Sequence, residues 1–479
     1  MFTTSELFGK FHSPKAPLQA ARAKAAGTAI NELQTLFGQW FPFHLLSQAD
    51  EGLNSRERVY TLRVTWWTFL WQVLNPGNSC REAVRKVMAW FDFLGRPKVD
   101  KDDSPYCQAR KRLPKQNLQQ ILQATAQAAD QRTPSQWRFH GREVQVGDGT
   151  TALMPDTPAN QRAYPQSGNQ QPGCGFPLIK IVALFSLASG ALTAVVTGNK
   201  HSAELKLFRK LWQQLKRGQI FLADRGFCDY VTVVGLWLRG VDSVLRLNHM
   251  RPHDFRNGQR LGKYDRLVTW QKPRQKPRTA TRRLWRSLPA QFTLRLIRYP
   301  VSIPGFRSRE IFLVTTLLDP LEYPVAELAQ LYLRRWRVEL FFRDIKTTLQ
   351  MEMLSCKSPK MIYREVLMHL IAYNLIRCLM VEAASVNDRE LERISFKGSV
   401  DTLRQFSPLI AQATSRKQQI RLINNLLSAL ADDPLPDRPH RVEPRCKKRR
   451  PKPFPLLNKP RRQMKAILQN RYNRKNQQP

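Results

Sequence analysis

The sequence predicts an α/β protein with an all-helical N-terminal domain and a helical C-terminal region that ends in a basic tail. Three observations support this fold class. Apolar residues follow helical spacing up to about residue 140. From Glu143 onward, runs of strand-forming residues alternate with helical patterns, which is typical of a sheet flanked by helices. Beyond Pro324 the spacing is helical again, until a segment rich in Pro and Arg begins at Arg438.

The N-terminal domain is expected to span residues 1–140. Its predicted helices are Ala20–Phe37, Arg58–Leu74, Cys80–Leu94 and Gln116–Gln131. Between the last two, the segment SPYCQARKRLPKQN predicts a short basic helix with Ser104 as its N-cap. This helix carries Arg110, Lys111 and Arg112. It is interpreted either as a DNA-reading element of helix-turn-helix type or as a basic surface helix of a bundle.

Strand signals dominate the next part of the chain, residues 141–250. The predicted elements are strands at 143–147, 178–186, 191–197, 219–223 and 243–247, with helices at Ala203–Lys216 and Tyr230–Leu238. The turn Ser189-Gly190 joins the second and third strands. Three antiparallel strands followed by alternating helices and strands predict a mixed sheet.

A basic, β-rich segment then interrupts this pattern at residues 251–308. Within it, residues 251–286 hold 12 Arg or Lys against Asp254 and Asp265. The second part of the α/β unit is expected at 309–395 and the helical C-terminal region with its tail at 396–479. Pro324 suits the first position of the long helix that follows the strands.

That long helix carries a charged stripe beside an apolar one. The charged stripe begins at Tyr332, and Arg335, Glu339 and Lys346 follow it by 3, 7 and 14 residues. This spacing places the four side chains within an arc of roughly 60°. The neighbouring apolar stripe consists of Leu331, Val338, Phe342, Ile345 and Leu349. A carboxylate among basic side chains beside a buried face suits a site that binds a metal and holds phosphate.

The stripe has the form Y-x2-R-x3-E-x6-K, in the segment YLRRWRVELFFRDIK. This pattern resembles the signature of bacterial insertion-sequence DDE transposases of the YREK-motif (insertion sequence four) family, which have an RNase H-like catalytic core. Two upstream aspartates that such a family requires are present, Asp148 in EVQVGDGTT and Asp224 in QIFLADRGF. The resemblance therefore implies an RNase H-like mixed-sheet core, interrupted by the β-rich segment.

The resemblance also implies roles for individual residues. Asp148 bridges two Mg²⁺ ions, for which Mn²⁺ may substitute, while Asp224 and Glu339 each complete one metal site. Charge adds further roles: Arg335 and Lys346 flank Glu339, so they can hold its carboxylate ionised and contact DNA phosphates beside the cut, and Tyr332 is expected to donate to or stack against the neighbouring nucleotide.

Several further residues are weighed with alternatives. Trp270 and Trp285 are candidates for stacking on a flipped base, although packing inside the β-rich segment is the favoured interpretation. His201 and Arg225 lie close in sequence to core motifs and are weaker candidates without an assigned role.

The implied reaction begins at the terminal inverted repeats of an insertion sequence. One strand is hydrolysed, and the exposed 3′-hydroxyl attacks the opposite strand to give a hairpin, which is later reopened and joined to target DNA. Pairing of two ends implies a homodimer on DNA. Two rival functions remain open: a metal-dependent nuclease without strand transfer, and a catalytically inactive protein that binds element ends as a repressor.

The composition supports a polyanionic partner. The chain has 479 residues with 78 Lys or Arg against 37 Asp or Glu, a net charge of +41. Nucleic acid is the expected partner, ahead of an anionic membrane surface. The tail from Arg438 is expected to have little structure and to lie along DNA, or else only to raise solubility.

The cellular setting is inferred from what the sequence lacks. Its seven cysteines are scattered without a C-x-x-C pair, which favours reduced thiols in a bacterial cytoplasm, on the nucleoid. A secretory signal is not evident at the N-terminus. The most apolar stretch is expected to be WWTFLWQVL from Trp66, which is shorter than the ~20 residues that span a bilayer, so no membrane association is expected.

Overall fold

The computed structural model describes residues 36–46, 59–77, 79–248, 251, 255–301, 310–436 and 454–475. Most of the predicted helix Ala20–Phe37 and the Pro- and Arg-rich segment 438–453 lie outside the described residues. The described helices are α1 (Leu62–Leu74), α2 (Cys80–Phe93), α3 (Ser104–Arg112), α4 (Lys115–Gln131), α5 (Pro158–Ala163), α6 (Glu204–Leu211), α7 (Tyr230–Trp237), α8 (Arg282–Ser287), α9 (Val325–Arg334), α10 (Arg337–Arg343), α11 (Pro359–Val386), α12 (Phe396–Gln412), α13 (Arg416–Ala431) and α14 (Arg461–Lys475).

The strands form one sheet of nine within the described residues, in the order β3-β2-β1-β4-β5-β9-β8-β7-β6. Their bounds are β1 (Val144–Leu153), β2 (Leu178–Ser186), β3 (Leu192–Gly198), β4 (Ile220–Ala223), β5 (Asp242–Arg246), β6 (Gln259–Gly262), β7 (Asp265–Gln271), β8 (Gln291–Pro300) and β9 (Glu310–Thr315). Strands β1, β4 and β5 run parallel, and the other pairings are antiparallel. The prediction of a mixed α/β fold with N-terminal helices is confirmed.

Alternating side chains divide the core into two layers, one on each face of the sheet. In β2, Ile181 and Phe185 belong to the cluster that also holds α1, α4 and α11. Their neighbours Val182 and Leu184 point to the opposite face, where they pack with α6 and α7. Because both faces are covered by helices, the strands are apolar on both sides. We call the face that carries Ile181 and Phe185 the first face, and the face that carries Val182 and Leu184 the second face.

The long helix α11 is the centre of the first face. Its most apolar window has a mean hydropathy of 1.5, so by length and composition it is a candidate membrane span, but 94% of that window is buried inside the protein. The sequence-based expectation that the Trp66 segment is the most apolar stretch is therefore wrong. Such burial is typical of a core helix.

Buried polar side chains fix α11 against its neighbours. Asn374 accepts a hydrogen bond from the Leu192 backbone N–H at 2.8 Å and donates to the Leu192 carbonyl at 3.0 Å. It also donates to the Leu122 carbonyl of α4 at 3.3 Å. Glu365 accepts from the backbone N–H groups of Ser355 at 2.8 Å and Cys356 at 2.9 Å. These bonds fix the register of α11 on β3 and on the segment after α10, since buried polar groups need partners.

Four local predictions need correction. Strand β1 extends to Leu153, because its second half pairs with β2 alone. The predicted long helix is broken at residues 335–336 and ends in a π-helical turn, Asp344–Thr348. The tail is not without structure throughout, since Arg461–Lys475 is helical. Ser104 is the first residue of α3 and Asp103 its N-cap.

Candidate active site

Asp148 and Asp224 are neighbours across two parallel strands. The β1–β4 pairing ends with Gly147 opposite Ala223, so the two aspartates follow in register on strands about 4.8 Å apart. Both point to the first face, because Val146 and Leu222, two residues earlier, belong to its core. The sequence predicted that Asp148 ends its strand. In the structure it lies inside β1, just beyond the point where the pairing with β4 ends.

Glu339 reaches the same face from α10. This helix packs on the sheet through Phe341 and Phe342, whose rings lie 5.4 and 5.1 Å from that of Phe185 in β2. Val338 is also buried in this layer, whereas the carboxylate of Glu339 stays 42% exposed. The helix thus presents Glu339 at the rim of the site.

Arg335 connects the two carboxylates. Its guanidinium lies 3.9 Å from Asp148 Oδ2 and 3.4 Å from Glu339 Oε1. The break between α9 and α10 places it there, since Arg335 is the C-cap of α9 and its side chain is only 12% exposed. This contact is charge-assisted and partly shielded from water, which strengthens it.

The electrostatics of Asp148 show that the three acids share one environment. Burial raises the pKa of Asp148 to about 6, the Gly149 N–H and Arg335 act to lower it, and the charges of Asp224 and Glu339 raise it. The Gly149 N–H donates to Asp148 Oδ1 at 2.7 Å. Asp224 Oδ1 likewise accepts from the Gly226 N–H at 2.8 Å. Backbone donors thus orient both aspartates.

These carboxylates have the donor chemistry that a hard divalent cation requires. Their mutual repulsion is the kind that a bound cation relieves. Among the described residues, no three Asp, Glu, His or Cys side chains are gathered around one point where they would hold a metal ion. The Arg335 guanidinium lies between Asp148 and Glu339 and accounts for that spacing. The residues fit a divalent cation by type and by charge.

Two charged residues that sequence reasoning missed lie at the same site. Glu204 begins α6, and the charges of Asp148 and Asp224 raise its pKa further after burial has done so. Arg246 follows Leu245, the partner of Ala223 in β5, and so lies beside Asp224 on the next strand. A sequence signal for Arg246 was available: it is an Arg at the end of an apolar strand, and that strand follows two others that run parallel to it. Glu204 gave none, since a Glu in the first turn of a helix is ordinary.

Tyr332 and Lys346 occupy different environments. The ring of Tyr332 is only 5% exposed, so stacking on a nucleotide, as the sequence suggested, does not suit this position. Burial raises the pKa of Tyr332, and Arg335 and Arg246 act to lower it, which places its hydroxyl among the site's cations. Lys346 is half-buried in the π-helical turn.

The three basic residues of α3 lie in different environments: Arg110 is buried, and Lys111 and Arg112 are at the surface. Arg110 is 6% exposed, donates to Cys80 Sγ at 3.1 Å and lies over the rings of Phe69 and Tyr106 at 4.9 and 5.1 Å. The charge of Arg110 is therefore used inside the N-terminal helices, and its assignment as a DNA-binding residue stays a prediction. Lys111 and Arg112 are exposed and remain DNA-binding predictions.

Replacing Arg110 with alanine is expected to lower stability rather than to act chiefly on DNA binding. The change removes the Arg110 donor from the partly buried Gln72 Oε1 and Cys80 Sγ, together with the buried contacts of the guanidinium on Phe69 and Tyr106, which costs about 1–3 kcal/mol. Lys111→Ala is the matched control and should leave stability within about 0.5 kcal/mol. Urea denaturation of the full chain measures both. Equal stability of the two variants would show that Arg110 is not a core residue.

The remaining predicted residues fall outside the carboxylate cluster. Trp270 is 8% exposed, packs in the second face and is covered by Arg251, whose guanidinium lies 3.8 Å from the ring centroid. This placement agrees with packing, which was the favoured interpretation of Trp270. Trp285 packs against the same layer with Lys272 4.7 Å from its ring centroid, but it stays partly exposed. His201 and Arg225 are exposed.

The chain is similar to known proteins. Residues 139–375 match the family model described as the transposase DDE domain. The transposase InsG for insertion sequence element IS4 of Escherichia coli (strain K12) is 26% identical over 434 residues, which are 89% of this chain and 94% of that protein. A cryo-EM structure of the piggyBac transposase synaptic complex with hairpin DNA matches with a TM-score of 0.40 and 10% identity, over 89% of this chain and 87% of that chain.

Proposed function

Because the chain belongs to the DDE transposases of the insertion sequence IS4 family, we propose that it binds the terminal inverted repeats of its own element. It then cleaves DNA at these ends through hairpin intermediates and joins the ends to target DNA. The observation that carries this proposal is the arrangement of Asp148, Asp224 and Glu339 on one face of the sheet under a basic side chain.

The sheet supports a finer assignment of the fold. Strands β1 to β5 with α6 and α7 are proposed to form the RNase H-like core, in which two parallel strands carry the aspartates. Residues 251–308 are proposed to be the insertion between the second aspartate and Glu339. Strands β6 to β8 of this segment extend the same sheet through β9, so the insertion is supported by the core.

The family implies a divalent metal. We propose Mg²⁺, with Mn²⁺ as a substitute and two ions per site, held by Asp148, Asp224 and Glu339. Bound divalent cations would neutralise charge on the scissile phosphate and on the attacking and leaving oxygens. The protein's own contribution is to orient two carboxylates with backbone N–H groups and to bring the third from a packed helix.

Basic residues around the acids are proposed to position the DNA. Arg335 pairs with two carboxylates in this structure, and it would transfer part of that pairing to a phosphate when DNA is bound. Lys346 and Arg246 are further phosphate-contacting candidates on the π-helical turn and on β5. Tyr332 is proposed to orient Arg335 from the buried side. Lys111 and Arg112 are candidates for end recognition, and Trp285 for contact with an unpaired base.

The partners and the setting follow from the same reaction. A net charge of +41 favours a long DNA contact, to which α14 and the tail would add non-specific affinity. Two element ends must be brought together, so a homodimer is proposed on paired ends. The protein would act on the bacterial nucleoid in the cytoplasm.

Product analysis on labelled DNA tests the proposed function. A duplex carrying the element's terminal repeat is labelled on either strand, incubated with the protein and Mg²⁺ or Mn²⁺, and resolved on a denaturing gel. The proposal predicts nicks at the end, hairpins that run as one strand of double length, and products joined to a target plasmid. Nicks without hairpins or joined products would identify a nuclease, and end binding without cleavage would identify an inactive repressor.

A further inference from the structure

Glu204 approaches the aspartates from the second face of the sheet. It is the first residue of α6, whose Leu207 and Phe208 are buried in that layer. The next residue of β1 after Asp148 is Gly149, which points to the same face because it alternates with Asp148. A Cβ added to Gly149 would overlap the Glu204 carboxylate and would lie 2.9 Å from its Cδ. The Glu204 side chain therefore lies against the β1 backbone at Gly149, and any larger residue at position 149 would displace its carboxylate.

The end of β4 gives this carboxylate access to the other acids. Strand β4 ends at Ala223, so beyond that residue β1 has a strand neighbour on its β2 side alone. At this point of β1 the Glu204 carboxylate lies against Gly149, and the charges of Asp148 and Asp224 act on it. The two aspartates thus interact electrostatically with one carboxylate from a helix on each face of the sheet, Glu339 on the first face and Glu204 on the second.

The charge around Glu204 is not balanced by the protein. Lys180 acts to stabilise its ionised form, but less than the other contributions oppose it, and Lys180 Nζ donates instead to the Ser202 carbonyl at 3.0 Å. Within the described part of the chain, the Glu204 carboxylate has no ion pair within 4 Å. The Glu204 side chain is exposed at this point, and a cation bound among the acids would relieve the repulsion between them.

We propose that Glu204 is a fourth carboxylate of the active site, which helps to bind the divalent cation held by Asp148 and Asp224. This inference rests on the proposed function, since it assumes a cation at those aspartates. It assigns a role to α6 that the three-acid pattern does not include. Gly149 belongs to the same arrangement, because its missing side chain leaves the space that the Glu204 carboxylate uses.

Two variants of the full chain test the inference by direct Mn²⁺ binding. Glu204→Gln keeps the shape and removes the charge, and Gly149→Ala displaces the flexible end of Glu204 while leaving its charge. Glu82→Gln is the matched control, another glutamate in the first turn of a helix, on α2. Free Mn²⁺ is measured by electron paramagnetic resonance during titration of the protein without DNA. Both test variants should bind Mn²⁺ about tenfold more weakly than wild type. A loss of this size is typical when a residue that supports the metal ligands is changed.

A second readout separates this role from a structural one. Without a cation, Glu204→Gln should unfold at the same or a higher temperature than wild type, because repulsion among the acids is reduced. With saturating Mn²⁺, its thermal midpoint should rise less than that of wild type. A residue that only supports the fold would lower both midpoints equally.

The outcomes are distinct. Weaker Mn²⁺ binding by Glu204→Gln and Gly149→Ala, with Glu82→Gln like wild type, supports the fourth carboxylate. Wild-type affinity in either test variant overturns the inference and leaves the proposed function standing. A wild-type protein that binds no Mn²⁺, while Asp148→Asn behaves identically, overturns both.

Discussion

Glu339→Gln is expected to reduce cleavage at the element end by at least about a hundredfold, the upper range for loss of support at a metal site. Glutamine keeps the packing of α10 on β2 through Phe341 and Phe342, so the change removes charge and little else. Asp148→Asn and Asp224→Asn should have effects of the same order, because the three acids are proposed to act as one unit. The initial rate of nicking on a labelled end duplex measures the effect.

The same variants should bind the end duplex as tightly as wild type or more tightly. A carboxylate that faces a DNA phosphate repels it. Removal of the Glu339 charge also leaves the Arg335 guanidinium, its partner, free to pair with DNA. Glu352→Gln is the control, an exposed glutamate on the segment that follows α10 and pairs with the end of β1. Cleavage that persists in Glu339→Gln at the rate of Glu352→Gln would remove Glu339 from the active site.

Arg295→Ala is expected to give the largest loss of stability, about 3–5 kcal/mol. Arg295 is fully buried in β8 and pairs with Asp265 through two hydrogen bonds, Nε to Oδ1 at 2.8 Å and Nη2 to Oδ2 at 2.6 Å. It also donates to the Tyr323 carbonyl at 2.7 Å, just before α9 begins. Its removal leaves the buried Asp265 carboxylate without its Arg295 partner and loosens the segment that leads to α9.

The control for this change lies three residues further along the same strand. Arg298 pairs with Glu310, but both side chains are about 40% exposed, so Arg298→Ala should cost at most about 1 kcal/mol. The double variant Arg295→Met with Asp265→Leu should recover most of the stability that Arg295→Ala loses, since it leaves no buried charge. Guanidinium denaturation followed by tryptophan fluorescence gives the free energies. Equal losses for Arg295→Ala and Arg298→Ala would contradict this account.

The sequence predicts well those parts of the fold that depend on local periodicity. Strand β2 begins and ends at the predicted residues 178 and 186, and its neighbours differ from the predictions by a few residues. Alternation and helical spacing are local signals, so they survive in a single sequence. The length of β1 does not follow from them, because residues 148–153 are held by pairing with β2 rather than by their own propensity.

The site shows the same division. The order of Asp148, Asp224 and Glu339 is a chain-level pattern, and it led to all three. Their spatial relation depends on the strand register and on the break before α10, which no local signal marks. Glu204 and Arg246 join the site only through sheet order and helix placement. The burial of Arg110 was equally hard to predict, since a basic motif on a helix does not reveal which of its cations faces the core.

The central claim is that residues 148, 224 and 339 share one divalent-cation site. Iron-directed cleavage of the polypeptide tests it most directly: Fe²⁺ replaces Mg²⁺, ascorbate and peroxide generate hydroxyl radicals at the bound ion, and the fragments are sized. The claim predicts backbone cuts close to all three residues, which excess Mg²⁺ suppresses and Asp148→Asn abolishes together. Cuts near only one of them, or cuts that excess Mg²⁺ leaves unchanged, would contradict it.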